Sequence, residues 1–390
     1  MRILAPRIER RRLLSAMIAL VFCLSAMLGL LVASSSYGTV TAVRERPTGM
    51  DATSVRTLAL TAHDPISITG NAGFTNASGV VWGSGTESDP YIIEGWDISA
   101  STWFGIYMLN TDAHFIVRTC YVHDGISNYY TGIMLWNCAN GTLDSNTCSN
   151  NQNGILLGPS SNNNTVSNNT CSSNDPRGII LYPSSNNNTL SNNTCSNNWD
   201  GITVMGSDNT LSNNTCSNNY YGIISSSTTT LSNNICSSNN GYGIYLSSSS
   251  GSTLGNNTLM NNSGYGLYIG SPDSSSNRIW NNTFIGNNGA TETYDATHIQ
   301  AYDDGTNNWW NSTDGYGNYW SDWTTPDVAP PHGIVDVQYD IAGSAGAKDY
   351  HPLTTTPTEP IPEFAMIPLV LVILLASIVL TIGARRRKAQ

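Results

Sequence analysis

Residues 192–204, NNTCSNNWDGITV, are followed at 213–225 by NNTCSNNYYGIIS, and this nearly identical pair decides the fold. Related segments recur from Gly105 to Gly289 at a spacing of about 21 to 27 residues. A period of that length is typical of solenoids, in which each repeat is one turn of a continuous coil. The sequence therefore predicts a column of stacked turns.

Each repeat opens with glycine and a short apolar strand. Side chains alternate across a strand, so the second and fourth residues of each four-residue segment share one face. That face is almost wholly aliphatic, and we expect it to point inward. The segments are Gly105–Met108, Gly132–Leu135, Gly154–Leu157, Gly178–Leu181, Gly201–Val204, Gly222–Ser225, Gly243–Leu246 and Gly266–Ile269.

Two further apolar positions follow in each repeat, five residues apart. The first is filled by Phe115, Leu143, Val166, Leu190, Leu211, Leu231, Leu254 and Ile279. The second is filled by Cys120, Cys148, Cys171, Cys195, Cys216, Cys236, Leu259 and Phe284. Three inward patches per turn predict an all-β, three-sheet parallel β-helix, because coils stacked about 4.8 Å apart bury one another's apolar faces.

Asparagines lie at one fixed place in the repeat, two residues before the last apolar position. Asparagine tolerates the left-handed conformation that a sharp turn requires. Amides stacked in register can also hydrogen-bond from coil to coil. We expect both roles of the same residues, with Arg118 the exception in the first coil: Asn146, Asn169, Asn193, Asn214, Asn234, Asn257 and Asn282.

Seven of the eight cysteines lie in the repeats, and six of them share the last apolar position. They could form a metal-binding row, a disulfide ladder or a row of small buried side chains. Leu259 and Phe284 fill the same position, and neighbours about 4.8 Å apart exceed the roughly 3.5–4.5 Å between disulfide Cβ atoms. Core packing is favoured. The six scattered histidines show no ligand spacing, so we expect no metal and no cofactor.

Both ends of the chain carry membrane signals. Arginines precede an apolar run at 13–33, which predicts a signal peptide or signal anchor at 1–36. The uncharged run at 364–384 is long enough to cross a bilayer, with the basic tail 385–390 in the cytoplasm. The remainder is expected at the cell surface as a linker at 37–63, an N-terminal cap at 64–104, coils at 105–289, an aromatic-rich cap at 290–353 and a Thr/Pro linker at 354–362.

The charge distribution excludes nucleic acid as a partner. The net charge is −11, and the basic residues are concentrated at the two ends. Phosphate binding needs a clustered basic surface. Between residues 58 and 353 the chain offers only Arg118, Arg177, Arg278 and Lys348.

Asn-X-Ser/Thr sequons are frequent, and in an exported chain they are glycan acceptors. Examples are Asn76-Ala77-Ser78, Asn168-Asn169-Thr170 and Asn311-Ser312-Thr313. We expect some of them to be glycosylated, although the repeat itself creates most of them.

Three motifs carry a resemblance to a known family: DPYIIEGW at 89–96, the repeats ending in NNTCSNN, and GNYWSD at 317–322. They resemble the NosD-like, or CASH-type, right-handed parallel β-helix proteins that are common on archaeal surfaces. The likeness covers roughly residues 60–353. It implies a right-handed helix but little about function, because the family takes its name from copper-enzyme maturation. Pro362-Glu363-Phe364 is also similar to a PEF-type sorting tail.

The outward positions of the first strand suggest a binding surface. An apolar stripe on a soluble column is unusual unless something covers it. It could receive a glycan or an envelope protein, or segments of the same chain could cover it. The residues proposed for binding are Tyr107, Tyr245 and Tyr268, with Tyr221, Tyr242 and Tyr265 just before the repeat glycines.

Catalysis is the alternative, since many β-helices act on polysaccharides. Hydrolysis needs two carboxylates across the scissile bond. Asp175 and Asp200, in the same turn region of neighbouring coils, are the best acidic pair, but Asp also suits turns. We expect binding without catalysis, with a polysaccharide hydrolase or lyase as the first alternative and a copper accessory role as the second.

Overall fold

The computed structural model describes residues 60–101, 103–125, 130–330 and 333–357. It confirms the all-β, three-sheet parallel β-helix, and the helical content is limited to 3-10 turns such as Asn71–Gly73, Asn76–Ser78 and Asn287–Gly289. The predicted terminal segments at 1–36 and 364–384 lie outside the described residues. Within the described ranges, no helix has the length and apolar character needed to span a bilayer.

Each coil contributes one short strand to each of three sheets, and consecutive coils pair in parallel. A two-residue strand, β1 (Thr61–Ala62), comes first. Sheet A contains β5 (Trp96–Ser99), β8 (Tyr121–His123), β11 (Thr147–Ser149), β14 (Thr170–Ser172), β17 (Thr194–Ser196), β20 (Thr215–Ser217), β23 (Ile235–Ser237), β26 (Thr258–Met260), β29 (Thr283–Ile285) and β31 (Tyr319–Trp320). Sheet B contains β2 (Ile66–Thr69), β6 (Phe104–Thr111), β9 (Thr131–Cys138), β12 (Asn153–Leu157), β15 (Arg177–Leu181), β18 (Asp200–Val204), β21 (Tyr221–Ser225), β24 (Ile244–Leu246), β27 (Leu267–Ile269) and β30 (Ala301–Asp303).

The third sheet and a terminal hairpin complete the fold. Sheet C begins with an antiparallel pair, β3 with β4, and continues in parallel. Its strands are β3 (Val80–Trp82), β4 (Tyr91–Glu94), β7 (Phe115–Arg118), β10 (Gly141–Asp144), β13 (Thr165–Ser167), β16 (Thr189–Ser191), β19 (Asn209–Ser212), β22 (Thr229–Ser232), β25 (Thr253–Gly255) and β28 (Arg278–Trp280). The hairpin pairs β32 (Tyr339–Asp340) with β33 (Lys348–Asp349).

The inward face of sheet B is as the sequence predicted. The second and fourth residues of each four-residue segment are fully buried, and Ser225 is the polar exception. Each segment begins with glycine because the backbones of successive coils approach closely there. A Cβ on Gly178 would lie 2.6 Å from the carbonyl oxygen of Gly201. Any larger residue would therefore push two coils apart.

The prediction for the first coil was wrong by two residues. Val117, not Phe115, stacks on Leu143, and Val122, not Cys120, stacks on Cys148. Phe115 pairs with Gly141, and its ring fills the space that a side chain on Gly141 would need. The spacing rule failed because the position taken by asparagine in later coils is occupied here by Cys120, whose N–H donates to Oδ1 of Asn146.

The cysteine column therefore has five members rather than six. All five are fully buried and unpaired by disulfides, and in-register strands place them one above another: Cys148, Cys171, Cys195, Cys216 and Cys236. Burial, together with a hydrogen bond to Cys216, raises the pKa of Cys236 well above its ordinary value. Burial likewise raises the pKa of Cys120, to about 12. These thiols pack as small apolar side chains.

The predicted asparagine ladder is confirmed, and its members are buried. Both the N–H and the Nδ2 of Asn193 donate to Oδ1 of Asn214, at 3.0 and 2.9 Å. The second predicted role belongs to another residue. The left-handed conformation is adopted by the residue just before each ladder member, as in Asn213 (φ 56°). A second ladder, which the sequence reasoning missed, runs through Asn151, Asn174, Asn198, Asn219, Asn239, Asn262 and Asn287.

Each ladder ends on a buried carboxylate near the C-terminal end of the column. The first ends at Asp349, which accepts from Asn318, and the second passes through Gln300 to Asp322. A third, interrupted by hydroxyls in the middle coils, ends at Asp303. In the first two ladders each asparagine donates to the side-chain oxygen of the next member toward the C-terminus, so the last member of each row needs an acceptor, which a buried carboxylate supplies.

Candidate functional site

The outward residues of sheet B form one continuous row along the column. Strand register aligns the third residues of all eight segments, and Tyr302 continues the row. The centre of the row is covered, since Leu156, Ile180 and Thr203 are buried. Its two ends are half-buried and carry aromatic rings. The row is thus two aromatic patches separated by a closed centre.

The N-terminal patch is a groove of about 760 Å³. We call it the aromatic groove. Phe104 and Tyr107 lie in it with their ring centroids 4.7 Å apart, and Trp136 stands exposed at its wall. The other lining residues are Trp103, Met134, Leu156, Pro159 and Tyr182, with Thr131, Gln152 and Asn153 as the polar side.

The C-terminal patch is a chain of tyrosine rings, which we call the tyrosine ladder. Tyr242 stacks on Tyr268 at 4.2 Å, and Tyr268 stacks on Tyr302 at 4.8 Å. All its members are half-buried, so one side of the assembly faces solvent. The members are Tyr221, Tyr242, Tyr245, Tyr265, Tyr268 and Tyr302.

The hydroxyls of Tyr242 and Tyr302 are held in the protonated form. Burial raises the pKa of Tyr242 to about 12. The pKa of Tyr302 is also raised to about 12, chiefly because its hydroxyl donates to Asp304 at 2.7 Å. A protonated phenol can donate as well as accept. The ladder therefore presents one side of a stack of apolar rings, together with hydrogen-bonding hydroxyls.

Between the two patches lies a polar junction, formed by Asn153, Arg177 and Asp200 in register on three successive coils. Nε of Arg177 lies 3.4 Å from Oδ2 of Asp200, which also accepts from the Thr203 hydroxyl. The terminal Nη groups of Arg177 donate to no described residue. Burial raises the pKa of Asp200, and the charge of Arg177 opposes that shift. Arg177 thus compensates a carboxylate that has lost most of its water.

The structure divides the residues that the sequence suggested. Tyr221, Tyr242, Tyr245, Tyr265 and Tyr268 come together in the tyrosine ladder, whereas Tyr107 lies in the aromatic groove. Asp200 lies in register with Arg177. Asp175 is exposed in the turn, two residues before Arg177.

Several aromatic residues at the site were missed from the sequence. Trp199, 55% exposed, stacks on Tyr220 at 4.5 Å, and Tyr220 meets Tyr221 edge-on. The sequence spacing could have revealed both residues. Trp199 and Tyr220 occupy the same place in their coils, one residue before a sheet B strand begins. Trp103 has the same position before Phe104, whereas Trp136 and Tyr182 gave no such signal, because they follow the four-residue segments of their coils.

Comparison with known families gives an assignment that the coil pattern supports. The family described as periplasmic copper-binding protein (NosD) matches residues 65–188, 92–228 and 180–325, which together span most of the column. The chain belongs to the NosD family. This NosD-family column is right-handed, as the resemblance implied. No curated protein matches the chain in sequence.

Solved structures with a similar architecture include sugar-polymer enzymes and a phage protein. The periplasmic alginate epimerase AlgG is 22% identical with a TM-score of 0.44, over 48% of this chain and 49% of that chain. The A-module of Azotobacter vinelandii mannuronan C-5 epimerase AlgE6 is 13% identical with a TM-score of 0.42, over 64% and 90%. The Dettilon tailspike protein is 16% identical with a TM-score of 0.42, over 58% and 52%. This chain thus spans about half the length of AlgG.

The family description names copper, so the fit of the described residues to that metal matters. Copper(I) selects thiolate and thioether ligands. The five stacked thiols are fully buried in a closed core, which disfavours the thiolate form. Across the described ranges, no three His, Cys, Asp or Glu side chains are arranged to hold a metal ion. The described residues do not fit a copper site, and no copper step is assigned to them.

Proposed function

We propose that this chain is a membrane-anchored cell-surface protein that binds a glycan along the outer face of sheet B without transforming it. One observation carries the proposal, namely the row of six tyrosine rings in consecutive contact on adjacent coils. Stacked coils repeat at about 4.8 Å, close to the length of one sugar unit. A linear glycan can therefore meet an equivalent ring at each coil.

The chemistry of the tyrosine ladder suits a sugar. The C–H groups of a pyranose can pack against the solvent-facing side of these stacked rings, and the tyrosine hydroxyls can exchange hydrogen bonds with sugar hydroxyls. Solvent-facing aromatic patches of this kind usually mark interaction sites. The anchoring half of the proposal rests on the uncharged run at 364–384 and the basic residues after it.

Binding is preferred to catalysis because of how the carboxylates are used. Glycoside hydrolysis needs two carboxyl groups facing each other across the scissile bond. Asp200 is instead engaged by Arg177 and Thr203. Asp175 precedes Arg177 in an exposed turn.

A glycan array probed with the detergent-solubilised full-length chain tests the proposal. The double variant Tyr242→Ala, Tyr268→Ala removes two stacked rings and should weaken binding about tenfold or more. Tyr316→Ala is the matched control, because Tyr316 is an exposed tyrosine outside the tyrosine ladder. Equal binding by wild type and the double variant, with unchanged circular dichroism, contradicts the proposal.

A reducing-sugar assay on each bound polymer separates binding from catalysis. We expect no sugar release above the buffer blank. Release that disappears in the double variant Asp175→Ala, Asp200→Ala would establish a polysaccharide hydrolase or lyase instead.

A further inference from the structure

The polar junction between the two aromatic patches carries unmet hydrogen-bonding capacity. Oδ1 of Asn153 and Oδ1 of Asp200 accept no hydrogen bond, although both side chains are more than nine-tenths buried. Nε of Arg177 approaches Asp200 at 3.4 Å without the geometry of a hydrogen bond. Buried polar groups are nearly always satisfied, so three such atoms on adjacent coils point to a partner from outside the chain.

The position of the junction connects it to the proposed binding face. Asn153 forms part of the wall of the aromatic groove, and Asp200 is in register with Tyr221 of the tyrosine ladder. Trp199, adjacent to Asp200 in the chain, offers an exposed ring beside it. A ligand lying along both patches must cross the junction.

We infer that the junction is a sugar subsite, and that it selects an uncharged glycan through a pair of hydroxyls, one for each unmet oxygen. This inference rests on the proposed function and names its ligand class. A hydroxyl both donates and accepts. One hydroxyl can donate to an unmet carboxylate or amide oxygen while it accepts from the Arg177 guanidinium, and a second hydroxyl can do the same at the other oxygen, two coils away.

An acidic sugar fits the junction less well. A carboxylate or sulfate brings acceptors only, so it would engage Arg177 and leave the oxygens of Asn153 and Asp200 unmet. It would also compete with Asp200 for the same cation. The net charge of −11 opposes a polyanion as well.

Access to the junction begins at Arg177. Its side chain is 29% exposed, whereas the two unmet oxygens are shielded from water. The guanidinium is held by one long contact, and it must move for a hydroxyl to reach the two oxygens. Arg177 is therefore the residue that the ligand meets first.

Affinity electrophoresis of the full-length chain in detergent tests the inference. The probes are soluble glucan, mannan, galactan and xylan, each run beside its carboxymethylated form. We expect retardation by a neutral polymer and at least fivefold weaker binding of its charged derivative. Asn153→Ala and Arg177→Met should each weaken neutral binding about tenfold. Arg278→Met, on sheet C, is the matched control and should bind as wild type does.

Asn153→Ala leaves the Arg177–Asp200 pair intact, so it remains informative if Arg177→Met lowers the melting temperature. Tighter binding of a carboxymethylated polymer, lost in Arg177→Met, overturns the inference in favour of anion recognition. Unchanged affinity in both variants also overturns it, and the glycan-binding proposal survives if Tyr242→Ala, Tyr268→Ala still abolishes binding. If wild type binds no polymer at all, both proposals fall.

Discussion

The asparagine ladder leads to a testable prediction, because, of two adjacent asparagines in the repeat, one is buried in the ladder and the other forms an exposed turn. Asn214 is fully buried, and its Oδ1 accepts from the N–H and Nδ2 of Asn193. Its own Nδ2 donates to the carbonyl of Leu190 and to Oδ1 of Asn234. Asn213 is exposed, and its side chain makes no hydrogen bond to the described residues. Asn214→Ala and Asn213→Gly therefore form a matched pair.

The expected loss follows from the groups that each change leaves unpaired. Asn214→Ala orphans two donors on Asn193, and at about 1–3 kcal/mol for each unsatisfied buried group the free energy of unfolding should fall by roughly 2–6 kcal/mol. Asn213→Gly keeps the left-handed conformation without strain and should change it by less than about 1 kcal/mol. The loss in the free energy of unfolding should thus be several-fold larger for Asn214→Ala than for Asn213→Gly.

Urea denaturation followed by circular dichroism measures both variants beside wild type. The midpoint should drop markedly for Asn214→Ala and hardly at all for Asn213→Gly, at an unchanged slope. Equal midpoints for the two variants would mean that the amide rows do not hold the coils together, and the reasoning would be refuted.

Three other outcomes are expected. The carboxyl of Asp349 has a pKa of about 6 in the folded chain, raised by burial above its ordinary value of 3.8, so it binds a proton on folding between those values. Its contribution, up to about 3 kcal/mol, is complete below about pH 4 and disappears as the pH rises through about 6; urea midpoints across pH 4–8 should show this decline, and Asp349→Asn should flatten it. The stacked cysteines should resist a thiol reagent in the native protein and react in urea, and rapid native labelling of Cys195 would contradict their burial. Deletion of residues 364–390 should move the protein from the membrane fraction to the soluble fraction on ultracentrifugation, and continued pelleting would argue against a C-terminal anchor.

The fold could be predicted because its determinants repeat. Gly201, Ile202 and Val204 recur as a pattern in eight coils, so a strand period and an inward face follow directly. The first coil departs from that pattern, which is why Phe115 and Cys120 were misplaced by two residues. The left-handed turn was assigned to Asn214 instead of Asn213 because both are asparagine and only the backbone distinguishes them.

The candidate site was only partly predictable. Tyr245 and Tyr268 occupy a repeat position, so their alignment followed from the register. Trp136 lies in the extended end of β9 and Tyr182 just after β15, both beyond the repeating four-residue segments, so nothing in the spacing indicated that they share one groove. The polar junction was missed because Asn153, Arg177 and Asp200 are three different residue types at one register position, and an ion pair between coils leaves no sequence motif.

Because carboxylates end the amide rows, the C-terminal end of the column can stay the same while the number of coils changes. Asp303, Asp322 and Asp349 all belong to the segment after the last coil, so the terminating chemistry is independent of how many coils precede it. One whole turn can be gained or lost between Asn193 and Asn214 while every amide keeps a neighbour of the same kind. Evolution or design can therefore change the length of such a column in steps of one coil, about 4.8 Å each, without redesigning its C-terminal end.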